Sequence, residues 1–114
     1  MAAGIQTVIY PVTDFARATA QFVALTGTAP AMASPYYVGF SVAGQDIGLA
    51  PNGHAQGMTG PVAYWHVDDV VATVQSLVGA GATSLQEPTD VGGGKPVASV
   101  QDADGNVIGL IQPA

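Results

Sequence analysis

His66 is the side chain best suited to proton transfer in this sequence. It stands in the strand-like run Ala63-Tyr64-Trp65-His66-Val67, and an imidazole of ordinary pKa changes charge near neutrality. It can serve as a general acid or base, or as a polar anchor for a ligand. The ordinary reading of a single strand histidine, one satisfied hydrogen bond, outweighs both. His54 lies in a stretch rich in Gly, Asn and Gln and reads as exposed. A metal held by His54, His66 and Glu87 or Asp46 follows no recognised ligand spacing. Tyr36, Tyr37, Tyr64 and Trp65 are the aromatic resource, and planar ligands are gripped by aromatic faces with a few orienting polar groups. Ser99 can donate to a ligand, but no His/Asp pattern beside it marks an activated nucleophile. Ordinary packing competes for all of these, and Trp65 reads as core. Met32 and Met58 fall in loops, where they can act as adaptable apolar lids.

The elements that must position these groups are signalled by a pattern that occurs twice. Val8-Ile9-Tyr10-Pro11-Val12-Thr13-Asp14 leads into an apolar-periodic run at 15–25, and Ala63-Tyr64-Trp65-His66-Val67-Asp68-Asp69 leads likewise into 70–78, 55 residues later. Each copy reads as strand, acidic cap and amphipathic helix, and self-similarity at a fixed spacing means two copies of one module. Phe15, Ala18, Phe22 and Leu25 form the first stripe; Val70, Val71, Val74, Leu77 and Val78 form the second. The acidic residues before the helices are read as caps rather than catalysts. Strands are expected at 36–42 and 45–50 around an Ala43-Gly44 hairpin, with a short one near 28–31, and at 83–86, 96–101 and 106–112. Asp102-Ala103-Asp104-Gly105-Asn106 is a tight turn. Residues 87–95, with Gly92-Gly93-Gly94, read as a mobile loop; the glycines follow no strand-to-helix context, so they are not a phosphate loop.

The sequence is therefore a single domain over 1–114, built from two βαβββ modules at about 1–52 and 61–114 with a linker at 53–60. The expected fold class is α+β, with the two modules forming a curved mixed sheet around a groove. If Tyr10, Val12, Trp65 and Val67 pack under the helices, alternation turns Thr7, Ile9, Pro11, Val62, Tyr64 and His66 to the groove. Tyr64 and one of the adjacent pair Tyr36/Tyr37 then reach it, with Tyr37 the one assigned to the ligand-binding set.

Composition narrows the function. Arg17 and Lys95 are the two basic residues, against eight acidic ones, for a net charge of -6. Two cations cannot neutralise a run of phosphates, so nucleic acid, anionic membranes and polyphosphate substrates are disfavoured. The charge favours a neutral or cationic small molecule, although solubility alone accounts for it. There is no cysteine, so disulfides, zinc-thiolate sites and thiol catalysis are excluded. A start of Met1-Ala2-Ala3-Gly4-Ile5 lacks the basic and apolar regions of a signal peptide, and the expected location is the cytoplasm. With 48% hydrophobic and 9% charged residues, a core is assured and much of the surface is uncharged, which suits a homodimer interface or an apolar groove.

This arrangement resembles the vicinal oxygen chelate superfamily, which includes glyoxalase I, extradiol dioxygenases, fosfomycin-resistance enzymes and bleomycin-resistance proteins. The resemblance runs along the whole chain. It rests on Tyr10-Pro11-Val12-Thr13-Asp14, on Val67-Asp68-Asp69, and on Asp102-Ala103-Asp104-Gly105-Asn106-Val107-Ile108, close to the family's Asp-Pro-Asp-Gly-Asn turn. In metal-dependent members, a His or Gln on the first strand of a module and a Glu on its last supply the ligands. The resemblance places those positions on Thr7 and Val62, and on Gly48 and Gly109. None of the four is an ordinary ligand except, weakly, Thr7, so it implies no metal and no other cofactor. Gly48 and Gly109 admit two readings: an enlarged pocket with close ligand approach, or simple loss of the site.

The reading that follows is a metal-independent small-molecule-binding protein, as drug-binding members are, sequestering an apolar or aromatic compound. Thr7, Ile9, Tyr37, Gly48, Tyr64, His66, Ser99 and Gly109 are its expected ligand-binding set. The alternatives are a metal-independent isomerase or lyase-like enzyme with His66 as acid/base, and a non-catalytic interaction domain.

Overall fold

Asp14 and Asp69 start the two helices by the same device. The Asp14 carboxylate accepts from the Arg17 amide at 3.0 Å and opens α1 (Phe15–Thr26). The Asp69 carboxylate accepts from the Ala72 amide, also at 3.0 Å, and opens α2 (Val70–Gly79). Each cap satisfies an amide that its helix leaves without a partner. Gly27 ends α1 in the left-handed region at φ 72°, its N–H donating back to the Val23 carbonyl. A tie not expected from the sequence reaches α2 from far along the chain: the Val70 amide donates to the Gln112 side-chain oxygen at 2.9 Å.

The computed structural model describes residues 2–51, 53–90 and 95–113. Its strands are β1 (Ala2–Pro11), β2 (Met32–Ser34), β3 (Tyr37–Val42), β4 (Gln45–Ala50), β5 (Val62–Val67), β6 (Thr83–Asp90), β7 (Pro96–Gln101) and β8 (Val107–Ile111). Two compact units emerge. One is Gln6–Val62; the other joins the residues up to Ile5 with those from Ala63 onward. In the first the strand order is β2-β3-β4-β1, and in the second β5-β8-β7-β6. Both use one plan: the first strand of the module pairs in parallel with its last, and the others run antiparallel. The α+β βαβββ expectation stands.

Each helix covers one face of its own strands. Ala18 of α1 is buried with Val38, Phe40 and Leu49, and Tyr10, Val12, Phe15, Phe22, Val42 and Ile47 close around them. The Phe22 ring lies 4.9 Å from Tyr10 and 6.1 Å from Phe40, centroid to centroid. In the other unit Val70 and Val74 of α2 pack on Val67, Ala98, Val100 and Leu110, with Leu77, Ala82 and Ile108 beside them. Full burial of an aliphatic or aromatic side chain contributes about 1.5–3 kcal/mol, so these two clusters carry much of the stability.

The stripes are narrower than the sequence suggests. Leu25, at the rim of its stripe in the last turn of α1, is 76% exposed. Val71 and Val78 sit about a quarter turn from the Val70–Val74–Leu77 line and are exposed. Trp65 shares a face with Val67 and lies opposite Leu110, so its side was read correctly. It is 38% exposed, however, outside the core in which it was expected.

Other departures are local. The short strand begins at Met32 rather than near 28, because Pro30 has no N–H to pair and the ladder opens with the Ala31 amide donating to the Gly39 carbonyl at 2.8 Å. Residues 87–90, expected in a loop, extend β6. Glu87 and Pro88 lie where its register against β7 shifts twice, an edge-strand irregularity that accommodates a residue without an N–H. The Gly92-Gly93-Gly94 run falls outside the described residues. Met58 is buried against Gly53 rather than free as a lid, and Met32 belongs to β2. His54 sits exposed in a 3-10 turn, His54–Gln56. The tight turn before β8 forms as expected, with Gly105 at φ 86°. Its Asp102 carboxylate accepts from the side-chain amide of Asn106 at 3.0 Å and from the backbone amides of Asn106 and Asp104. These bonds, the Asn106 side chain foremost, hold the Asp102 carboxyl below its usual range. No helix among the described residues is long and apolar enough to cross a membrane.

Candidate functional site

In the Gln6–Val62 unit, register decides which residues share a face. Gly39 lies opposite Gly48, and Gly48 opposite Ile9; Ser41 lies opposite Asp46, and Asp46 opposite Thr7. Partners across a ladder point the same way, and so do residues two apart on one strand. Thr7, Ile9, Tyr37 and Gly48 therefore share one face, while Val38, Phe40 and Leu49 turn to α1. Of the adjacent tyrosines, Tyr37 is half-buried on this face and Tyr36 is 76% exposed. Thr7 is buried.

The Tyr37 ring lies across two glycines. A Cβ added at Gly48 would collide with the Tyr37 hydroxyl and come within 2.6 Å of its Cζ and 2.7 Å of its Cε1. One added at Gly39 would come within 3.1 Å of Cε2. The two Cε atoms bracket the ring, so it rests on a platform made by the missing side chains. Gly39 was not singled out from the sequence. The signal was available in the register of a Tyr-x-Gly run against the glycine of the next strand.

The second unit repeats the arrangement with a different tyrosine. Tyr64 and His66 alternate along β5, with Tyr64 opposite Gly109, Gly109 opposite Ser99, and His66 opposite Ile111. All share the face turned away from α2. A Cβ at Gly109 would lie 2.6 Å from Tyr64 Cγ, 2.7 Å from Cδ2 and 2.8 Å from Cδ1. Near-equal distances to both Cδ atoms put the glycine under the face of the ring rather than its edge. Tyr64 and Ser99 are buried, and burial alone pushes the Tyr64 hydroxyl above its ordinary pKa. His66 is half-buried beside them. The eight residues of the expected ligand set thus fall into two groups: Thr7, Ile9, Tyr37 and Gly48 in one unit, and Tyr64, His66, Ser99 and Gly109 in the other.

A family model described as Glyoxalase/Bleomycin resistance protein/Dioxygenase superfamily matches residues 4–110. The chain belongs to this superfamily. Among solved structures of the same fold is methylmalonyl-CoA epimerase from Mycobacterium tuberculosis, 18% identical, with a TM-score of 0.72 over 99% of this chain and 89% of that one. A singly substituted Streptomyces coelicolor methylmalonyl-CoA epimerase in complex with 2-nitronate-propionyl-CoA is 14% identical, with a TM-score of 0.76 over 100% and 96%. A glyoxalase/bleomycin resistance protein/dioxygenase superfamily member from Vibrio splendidus 12B01 is 17% identical, with a TM-score of 0.70 over 98% and 99%. No protein of curated function matches the chain.

The superfamily's metal can be tested against the residues present, and they do not fit it. Thr7, Val62, Gly48 and Gly109 stand at the four positions the resemblance points to, and Val62, Gly48 and Gly109 have no donor side chain. The space above each glycine, where a ligating carboxylate would begin, is taken by a tyrosine ring. Among the described residues no three His, Asp or Glu side chains converge. The same contacts bear on the two glycines: the space above each is occupied by a tyrosine ring of its own unit.

Proposed function

We propose that this protein binds and sequesters an apolar or aromatic small molecule without a metal. The observation that carries the reading is the tyrosine ring lying over a glycine in each unit, at the positions where metal-dependent relatives are expected to hold carboxylates. Aromatic surface with a few polar neighbours suits recognition of a planar compound. Thr7 accompanies Tyr37, and Ser99 and His66 accompany Tyr64. A homodimer is part of the proposal, since a surface with so few charges suits self-association; light scattering tests it.

A second reading is a metal-independent isomerase or lyase-like step with His66 as acid/base. It draws support from His66 sharing a face with Tyr64 and Ser99, and from the epimerase activity named for structural neighbours. An acyl-CoA substrate, however, brings phosphates, and this chain offers two cations, one of which, Arg17, lies 3.7 Å from Asp14. Phosphate recognition leans on such cations.

A thermal-shift screen of uncharged and charged aromatic compounds tests the leading reading. The expected result is a hit that raises the melting temperature of the wild type and loses its effect in Tyr37→Leu or Tyr64→Leu. A screen in which no aromatic compound shifts the protein contradicts it. Turnover abolished by His66→Ala in a folded variant would promote the enzyme.

A further inference from the structure

Tyr37 and its neighbours supply more than a generic apolar contact. The backbone of Tyr37 lies near the Ala50 end of β4, and its ring runs over Gly39 and Gly48, hydroxyl foremost. The next residue of β4 on the same face is Asp46, one pleat beyond Gly48, or about 7 Å along the strand. Asp46 is exposed, and Ser41 lies opposite it on β3. Among the described residues no cation or donor engages the Asp46 carboxylate. The Tyr37 ring thus lies along the sheet with its hydroxyl edge toward an unpaired anion, so a planar group laid on the ring extends toward Asp46, in a chain of net charge -6 with two basic residues.

We propose that the face bearing Tyr37 and Asp46 takes a planar organic cation, its ring against Tyr37 and its positive group toward Asp46. The proposal rests on the sequestration reading and adds the charge of the ligand. Tyrosine attracts a cation through the negative face of its ring. The carboxylate adds a screened Coulomb attraction, weak for an exposed pair but opposite in sign for an anion. A planar anion gains the same stacking and meets repulsion from both Asp46 and the net charge.

Isothermal titration of the full chain with proflavine, a planar aromatic cation, tests this alongside 2-naphthalenemethanol as a neutral probe and 2-naphthalenesulfonate as an anionic one. Proflavine is expected to bind more tightly than the other two. Asp46→Asn should weaken it about threefold, an effect that fades at high salt. Tyr37→Leu should weaken it about tenfold, and Tyr37→Phe, which keeps the face over the glycines, should bind within twofold of wild type. Asp104→Asn, at the exposed turn before β8, removes the same charge elsewhere and should change nothing. Equal or tighter binding of the sulfonate, or proflavine binding indifferent to Asp46→Asn, overturns the cation proposal. If the neutral probe binds and depends on Tyr37 in that case, sequestration survives without it. If none of the three binds, both readings fail.

Discussion

Adding one methyl group at Gly109 would drive a carbon into the face of the Tyr64 ring, and the same change at Gly48 would meet Tyr37. Overpacking of this kind costs about 1–3 kcal/mol, so Gly109→Ala and Gly48→Ala are expected to destabilise by that amount in chemical denaturation. Gly39→Ala should cost less, since its nearest contact is 3.1 Å. The coupling is open to a double-mutant cycle. Tyr64→Ala combined with Gly109→Ala should cost measurably less than the two singles added together, because the methyl group then enters vacated space. Strict additivity would show that ring and glycine do not share that space. Burial also makes Tyr64 a source of alkaline sensitivity. Its folded pKa lies above its unfolded value of about 10, so the folded state holds its proton more tightly. That contribution is complete below pH ~10 and is lost as pH rises through the folded pKa. Tyr64→Phe keeps the ring and removes the ionisation, so its unfolding curves should flatten above pH ~10 relative to wild type. An unchanged alkaline slope would contradict this assignment.

The β3–β4 hairpin turns through Ala43 at φ 52° and Gly44 at φ 80°. A two-residue turn of this hand favours Asn or Gly at its first position, and an alanine there carries left-handed strain. Ala43→Gly or Ala43→Asn is expected to raise stability by about 0.5–1 kcal/mol, read as a shift in denaturation midpoint at unchanged slope; a loss would mean that the Ala43 methyl makes an unseen contribution. At this scale much was legible in advance. Asp14 and Asp69 announced the helices because an acidic residue before an apolar-periodic run satisfies orphan amides, a purely local requirement. Alternation along β1 and β5 separates Thr7, Ile9, Tyr64 and His66 from the side packed on the helices, again a local requirement. What stayed hidden depended on reach. The exposure of Leu25 and Trp65 is a matter of tertiary packing, which a local apolar pattern does not report. The extension of β6 through Pro88 depends on its having a neighbour on one side within its unit. The Gln112 bond to Val70 joins residues 42 apart, beyond any local pattern.

For the molecule as a whole, Gly48 and Gly109 were legible as strand glycines, but their meaning was not. A glycine in a strand signals close approach without saying of what. Here the approaching groups are Tyr37 and Tyr64, each from its own unit, and the same device appears in both modules of the repeat. The space above Gly48 and Gly109 is not left open but is occupied by these rings. The central proposal is that a tyrosine ring over a glycine in each unit stands where metal-dependent relatives are expected to hold a ligand, and that the chain binds no metal. Native mass spectrometry tests it most directly, on protein purified without added metal and then incubated in turn with excess zinc, nickel, manganese and iron. The account predicts no stoichiometric ion in any spectrum, and the same result for Tyr37→Leu and Tyr64→Phe. One tightly held metal per chain or per dimer would contradict it and return metal-dependent chemistry to the front.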